Sequence, residues 1–213
     1  EYEATHDNPD KDPYMAFEKD FMRFMLSDGA GAVLVQDHPE GICPLKIEWV
    51  DMTSYANELP TCMFMASELQ ENGRLKSWKE FSPDEIKERA VLVGKQDIRQ
   101  LKKYIIKYWV DHIETVLAKH HVKAEEIDYV IPHVSSMFFY EKLNDEIAAR
   151  NIALTKEKWF TNLTSVGNIG SAAIYVGLEE LIRTKEIKQG DKILLLVPES
   201  GRFSYGTVLL TAD

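Results

Sequence analysis

Three short stretches place chemistry-bearing residues beside turn signals. They are Pro132-His133-Val134-Ser135-Ser136, Val166-Gly167-Asn168-Ile169-Gly170 and Ser200-Gly201-Arg202-Phe203. A neutral imidazole at His133 can donate one ring N–H to a developing oxyanion, or shuttle a proton. The plain alternative is a histidine that caps the helix opening after it, and the residue alone does not choose between the two. Asn168 carries a carboxamide N–H2, a fixed and non-titrating donor suited to stand beside a histidine at an oxyanion. An Asn between glycines equally suits a left-handed turn. Gly201 can present its backbone N–H to a carbonyl oxygen, or simply turn a β-hairpin. Open α/β sheets collect function at the C-terminal ends of their strands, and each stretch is expected at such an end.

The elements that must position these residues follow from the apolar pattern. AVLVQ at 32–36 reads as a buried strand after the small residues Gly29-Ala30-Gly31, which favour close backbone approach. IEWVDM reads as a second strand. Residues 53–93 mix helical and loop signals, although Ser82-Pro83-Asp84-Glu85 is a good helix start, with Ser as N-cap and Pro at the first position. From about Gln96 to His120, Ile98, Leu101, Ile105, Trp109, Ile113, Val116 and Leu117 fall on one helical stripe. IDYVIP reads as a strand. SSMFFYEKLNDEIAAR reads as a helix with Phe138, Phe139, Leu143 and Ile147 inward. WFTNLT is a strand candidate, SAAIYVGLEELIRTK a helix, and KILLLVP and YGTVLLT the closing strands. Strands alternating with helices predict a layered α/β domain.

Composition narrows the function classes. The 213 residues are 45% hydrophobic and 28% charged, ordinary for a globular protein. Lys and Arg total 25 against 35 Asp and Glu, a formal charge of −10 that repels phosphate backbones, so nucleic acid is not an expected partner. No apolar run approaches the roughly 20 residues that span a bilayer, and no signal-peptide pattern is present, so no membrane is expected. Cys43 and Cys62, with no CxxC, indicate neither a disulfide framework nor a metal site, and a reducing cytoplasm is the expected compartment. The chain begins at Glu1 rather than Met, which reads as a processed or cleaved piece or a renumbered one. Residues 1–25, polar through position 13, are expected as a lead-in segment to a domain over 26–213.

The series DGAGAVLV, YVIPH, VGNIGSAA, GDKILLL and FSYGTVLL, in that order, resembles the C-terminal half of the ketoacyl-acyl-carrier-protein synthase III family. That family has a GDGAGA strand, a PHQAN strand-to-helix turn, a GNTSAA turn and a closing Gly-rich hairpin. The resemblance covers about residues 26–211. It implies a thiolase-like α/β fold, here one βαβαβαββ half with a mixed sheet and helices on its faces. It also implies a Cys-His-Asn condensing site, active on acyl-CoA or acyl-carrier-protein thioesters with no tightly bound cofactor or metal. His133 and Asn168 stand where the family's His and Asn bind and decarboxylate a malonyl extender. Gly201 stands at the oxyanion glycine, and Gly94, Ile98 and Ser136 fall along the pantetheine tunnel. The nucleophilic cysteine belongs to the other half, and neither Cys43 nor Cys62 has its sequence context.

The resemblance also implies partners: the N-terminal Cys-bearing half, in the same or a separate polypeptide, an acyl carrier protein, and a homodimer or heterodimer when complete. A pathway of fatty-acid or polyketide type would follow. The departures are Ser136 in place of the family's Asn, and Pro198-Glu199-Ser200-Gly201-Arg202 where the family has a Phe and several glycines. They point away from the acetyl-CoA-primed role and towards a specialised condensing enzyme or an acyltransferase relative that does not condense. Glu199 and Arg202 either alter the acyl site or pair with each other in solvent. A non-catalytic thiolase-fold subunit is the reading from a different class. Met63-Phe64-Met65 and Met137-Phe138-Phe139 are expected in the core or along an acyl pocket. The helix from Ser171 to Thr184 is apolar nearly all round, so it is expected to be buried on both sides or left half exposed without its partner.

Overall fold

The structure, a computed structural model, describes residue 20 and residues 23–213. The polar stretch 1–13 expected as a loop lies outside the described residues. In chain order the strands are β1 Leu45–Ser54, β2 Met63–Phe64, β3 Ser67–Leu69, β4 Leu75–Ser77, β5 Lys95–Gln96, β6 Tyr129–Pro132, β7 Lys192–Glu199 and β8 Ser204–Ala212. From Leu45 onward the α-helices are α1 Pro83–Glu88, α2 Ile98–Lys119, α3 Met137–Ala149, α4 Leu163–Val166 and α5 Ala173–Thr184.

The main sheet has four strands in the order β1-β8-β7-β6. β1 and β7 each run antiparallel to β8, and β6 runs parallel to β7. The sheet is mixed, as expected. WFTNLT contributes less than a strand. Trp159 makes an isolated parallel bridge to Val130, and the Phe160 N–H donates to the Val130 carbonyl at 2.8 Å, which places these two residues beyond β6.

Period-two alternation sends successive side chains to opposite faces. On one face Val130, Leu194, Leu196, Tyr205 and Leu209 join Leu101, Ile105, Trp109 and Ile113 of α2 and Phe139, Leu143 and Ile147 of α3 in one core. The other face carries a smaller cluster of Ile131, Ile193, Leu195 and Leu210 under Leu181 of α5.

The long helix forms where its stripe requires. Asp97 caps it, accepting the N–H of Arg99 at 2.9 Å and of Gln100 at 3.0 Å, and Leu101, Ile105, Trp109, Ile113, Val116 and Leu117 are all buried. Ser82 opens α1 with a full capping box to Glu85. In α3 the inward set is Phe139, Leu143 and Ile147. Phe138 is 50% exposed, because one residue's step is 100° around the helix and turns it away from the core.

The largest departure is AVLVQ, which forms no strand. Val33, Leu34 and Val35 are 58%, 83% and 68% exposed. A strand exists only as one side of a hydrogen-bonded ladder, and no strand lies beside this segment. The Met and Phe runs are likewise neither core nor pocket lining apart from Phe139: Met63, Met65 and Met137 are 37%, 69% and 40% exposed. The stretch 53–93 holds a β3–β4 hairpin turned at Asn72-Gly73, with Gly73 in the left-handed region, and β2, which pairs with β5 just beyond the stretch.

Candidate active site

His133 follows β6 directly. Its backbone N–H donates to the Leu196 carbonyl at 2.8 Å, extending the β6–β7 ladder by one residue and fixing the direction in which the side chain leaves the sheet. The residue is half-buried, and burial lowers its pKa below the usual histidine value. The imidazole is therefore neutral at pH 7 and retains one N–H donor.

Asn168 is buried in the turn that leads to α5. Its own backbone is not left-handed. Gly167 and Gly170 take that role, with φ of 83° and 58°. This removes the left-handed reading for Asn168 but not its turn role: Oδ1 accepts the Gly170 N–H at 3.2 Å, an Asx-type bond two residues on, and that bond leaves the N–H2 end unengaged. The Asn168 carbonyl accepts the Ser27 N–H at 2.8 Å. A Cβ on Gly29 would fall 2.8 Å from Ile169, and one on Gly31 would overlap Tyr175. The small residues of Asp28-Gly29-Ala30-Gly31 thus let that segment lie flat on the Asn168 turn and on α5.

His133 and Gly167 line one small cavity together with Pro132, Phe160, Asn162 and Ala173. Asn162 is held by its Nδ2, which donates to Glu180 of α5 at 2.7 Å. Phe160 and Asn162 were not singled out in the sequence. The signal was present in their position, one and three residues after Trp159, whose bridge sets it beside β6.

Gly201 stands elsewhere on the same sheet edge, in the β7–β8 turn. Its carbonyl accepts the Cys62 N–H at 2.8 Å, and the Asp97 N–H donates to the Cys62 carbonyl at 2.8 Å. Ser200 accepts the Gln96 amide at 3.0 Å. Gly94 precedes β5, and Ile98 opens α2. The structure therefore gathers Gly201 with the β5–α2 junction that bears Gly94 and Ile98, and sets His133 at one cavity with Gly167, the residue before Asn168; Asn168 itself does not line that cavity. Ser136 is the N-cap residue of α3 and makes no side-chain cap bond. Glu199 and Arg202 do not pair with each other. Glu199 accepts backbone N–H groups, and Arg202 donates to Thr61 Oγ1 at 3.1 Å.

Both thiols are poor nucleophiles at neutral pH. Burial, with the Asp97 and Glu199 carboxylates behind it, pushes Cys62 up to about 12, and its Sγ donates to the Asp97 carbonyl at 3.3 Å. Burial and then Asp191 raise Cys43. Among the described residues no group of three or more His, Cys, Asp or Glu is placed to hold a metal ion, and no helix is long and apolar enough to cross a membrane.

Residues 117–211, from the end of α2 through β8, match the family model described as 3-oxoacyl-[acyl-carrier-protein] synthase III C terminal. Over these residues the chain is similar to the synthase III C-terminal domains. It is 27% identical to the beta-ketoacyl-[acyl-carrier-protein] synthase III of Clostridium perfringens over 87% of this chain and 52% of that one. The synthase III of Aquifex aeolicus is 33% identical over 53% of this chain and 34% of its own length. A crystal structure of 3-oxoacyl-[acyl-carrier-protein] synthase III from Aquifex aeolicus aligns with 78% of this chain and 44% of that one, at a TM-score of 0.53 and 24% identity, a likeness that speaks for the fold. This synthase III-like chain thus spans about half the length of the first of these relatives and less of the second. It carries the thiolase-like fold as one half with a mixed sheet.

Proposed function

We propose that this chain is the His- and Asn-bearing half of a decarboxylative condensing enzyme of the synthase III type. The observation that carries the reading is the cavity at the end of β6, lined by a neutral His133 and by Gly167, the residue before Asn168. An imidazole N–H and a carboxamide N–H2 are the donors that a thioester carbonyl needs as it becomes an enolate oxygen. In that step a malonyl thioester loses CO2, and the electron pair of the broken C–C bond forms the enolate whose oxygen the two donors hold. The enolate carbon then attacks the carbonyl of an acyl group held as a thioester on a cysteine of the N-terminal half. The thiolate leaves and takes a proton. His133 must remain neutral to act as a donor without protonating the enolate carbon, and its burial favours that state. The substrates are acyl-CoA and acyl-carrier-protein thioesters, and no cofactor or metal enters. Carrier protein and the Cys-bearing half are the proposed partners, in an assembly that is dimeric when complete.

Two features support the need for the other half. α5 buries only Gly177 and Leu181, and its Tyr175 is 40% exposed. The apolar segment 33–35 is also uncovered. The test is malonyl-thioester decarboxylation by the protein joined to its Cys-bearing half. His133→Ala and Asn168→Ala should each lower the rate about 100-fold or more, the scale of one lost oxyanion donor. Unchanged rates in both variants would overturn the assignment. The isolated chain should form no acyl-enzyme on Cys43 or Cys62. An acyltransferase relative that does not condense is the second reading. It rests on the departures from the family's pattern at Ser136 and at Pro198-Glu199-Ser200-Gly201-Arg202.

A further inference from the structure

The β7–β8 turn holds a contact that the family resemblance does not foresee. Glu199 closes β7, and its carboxylate reaches forward along its own turn. Oε1 accepts the Gly201 N–H, and Oε2 accepts the Arg202 N–H at 3.0 Å. Two successive amides aimed at one carboxylate make a backbone nest, a geometry that binds anions. The nest is held from outside the turn by the bonds of Cys62 and Gln96 described above. Arg202 sends its guanidinium to Thr61, which leaves the carboxylate to the two amides. Gly201 is buried, and a Cβ there would fall 2.6 Å from Glu199 Oε1, so a larger residue would break the clasp.

We propose that Glu199 is an intramolecular plug: its carboxylate occupies the Gly201 and Arg202 amides as a tethered ligand, and these donors take a carboxylate or an oxyanion from another molecule only when Glu199 swings out. The ligand class follows from what the donors already hold. A carboxylate attached two residues away presents itself at an effective concentration in the millimolar range or above. A neutral thioester oxygen does not compete with that. A free carboxylate, or an oxygen that has gained charge in a transition state, matches the charge of the plug and takes the amides once Glu199 has swung out. The meaning of the plug for acyl transfer rests on the condensing-enzyme reading, in which Gly201 would serve the acyl oxyanion. The plug itself stands on the turn alone.

Amide NMR on the 213-residue chain tests it without any catalytic readout. In the wild type, with the carboxylate in place, added acetate should shift the Gly201 and Arg202 amide resonances weakly or not at all. Glu199→Ala should open the nest, so that acetate shifts the same two resonances at a half-saturating concentration roughly tenfold or more below any seen in the wild type. Glu199→Gln, which keeps the side-chain length, should show an intermediate affinity. Equal acetate responses in wild type and Glu199→Ala would overturn the proposal, as would no response in either. Should the alanine variant not fold, Glu199→Gln decides: an acetate response equal to that of the wild type contradicts the plug. A condensing enzyme with a plug and a non-condensing relative with one give the same NMR result, so failure here leaves the proposed function separately testable.

Discussion

The two faces of the main sheet are finished to different degrees. On the first, α2 and α3 cover β6, β7 and β8, and Trp109, Ile113, Leu143, Leu194 and Tyr205 are essentially inaccessible. On the second, α5 covers β6 and β7 but not β1. Residues directly opposite in an antiparallel pair point to the same side, so Ile47, Val50 and Met52, opposite Leu210, Val208 and Gly206, belong to this second face. They are 47%, 63% and 72% exposed. One strand therefore presents Trp49 to a core on one side and bare aliphatic side chains on the other. A sheet bare on one side with aliphatic residues there, beside a half-covered apolar helix, marks a surface built to meet another protein layer. The first face is where this chain keeps its stability. The second is the surface on which the proposed other half would pack.

Truncating the first face should cost most. Trp109→Ala should lower unfolding free energy by about 3–5 kcal/mol, the usual range for a buried large aromatic, read from a urea midpoint. A loss near zero would mean that the α2 face is not the core.

A smaller effect comes from His112, which is buried on the same face with its ring nitrogens 3.0 Å from Thr53 Oγ1 and from Thr207 Oγ1. Burial lowers its pKa below the ordinary 6.5. The unfolded chain therefore takes a proton that the folded chain refuses. Stability should be full above the unfolded pKa, fall as pH drops from about 6.5 towards the folded value, and level off below it, at about 1.4 kcal/mol per unit of depression. His133, lowered by burial in the same way, adds to this slope. Urea midpoints at pH 7 and pH 5 measure the slope, and His112→Gln should flatten it. A slope unchanged in that variant would assign the pH dependence to other groups.

The smallest effect on folding, and the sharpest on the contrast, is expected at the second face. Val50→Thr with Met52→Gln should move the unfolding free energy of the isolated chain by only about 0.5 kcal/mol, while self-association seen by light scattering declines. A loss of several kcal/mol would show that these side chains are already part of a finished core.

The helices were legible because their evidence is local. The stripe from Leu101 to Leu117 and the Ser82 capping box need no distant partner. β6, β7 and β8 were legible as apolar runs bounded by turns. AVLVQ reads as a strand in its residues and is none in this chain, because a ladder requires a second strand that the residues cannot supply. The β3–β4 hairpin was announced by Asn72-Gly73, a strong hairpin signal, but its short strands were lost among the helical signals around them. At the candidate site, His133 and the Asn168 turn could be named from residue type and position. The clasp of Glu199 on Gly201 and Arg202 could not, since the sequence leaves that carboxylate free to pair with Arg202. Only the fold shows Arg202 drawn to Thr61.

The most direct test of the two-face account is amide hydrogen exchange on this chain, alone and with a Cys-bearing synthase III N-terminal half from the same source supplied in trans. The account predicts that β1, α5 and residues 32–36 gain protection on binding, while α2 and α3 exchange as before. Absence of binding, or protection confined to the α2 and α3 face, would contradict it.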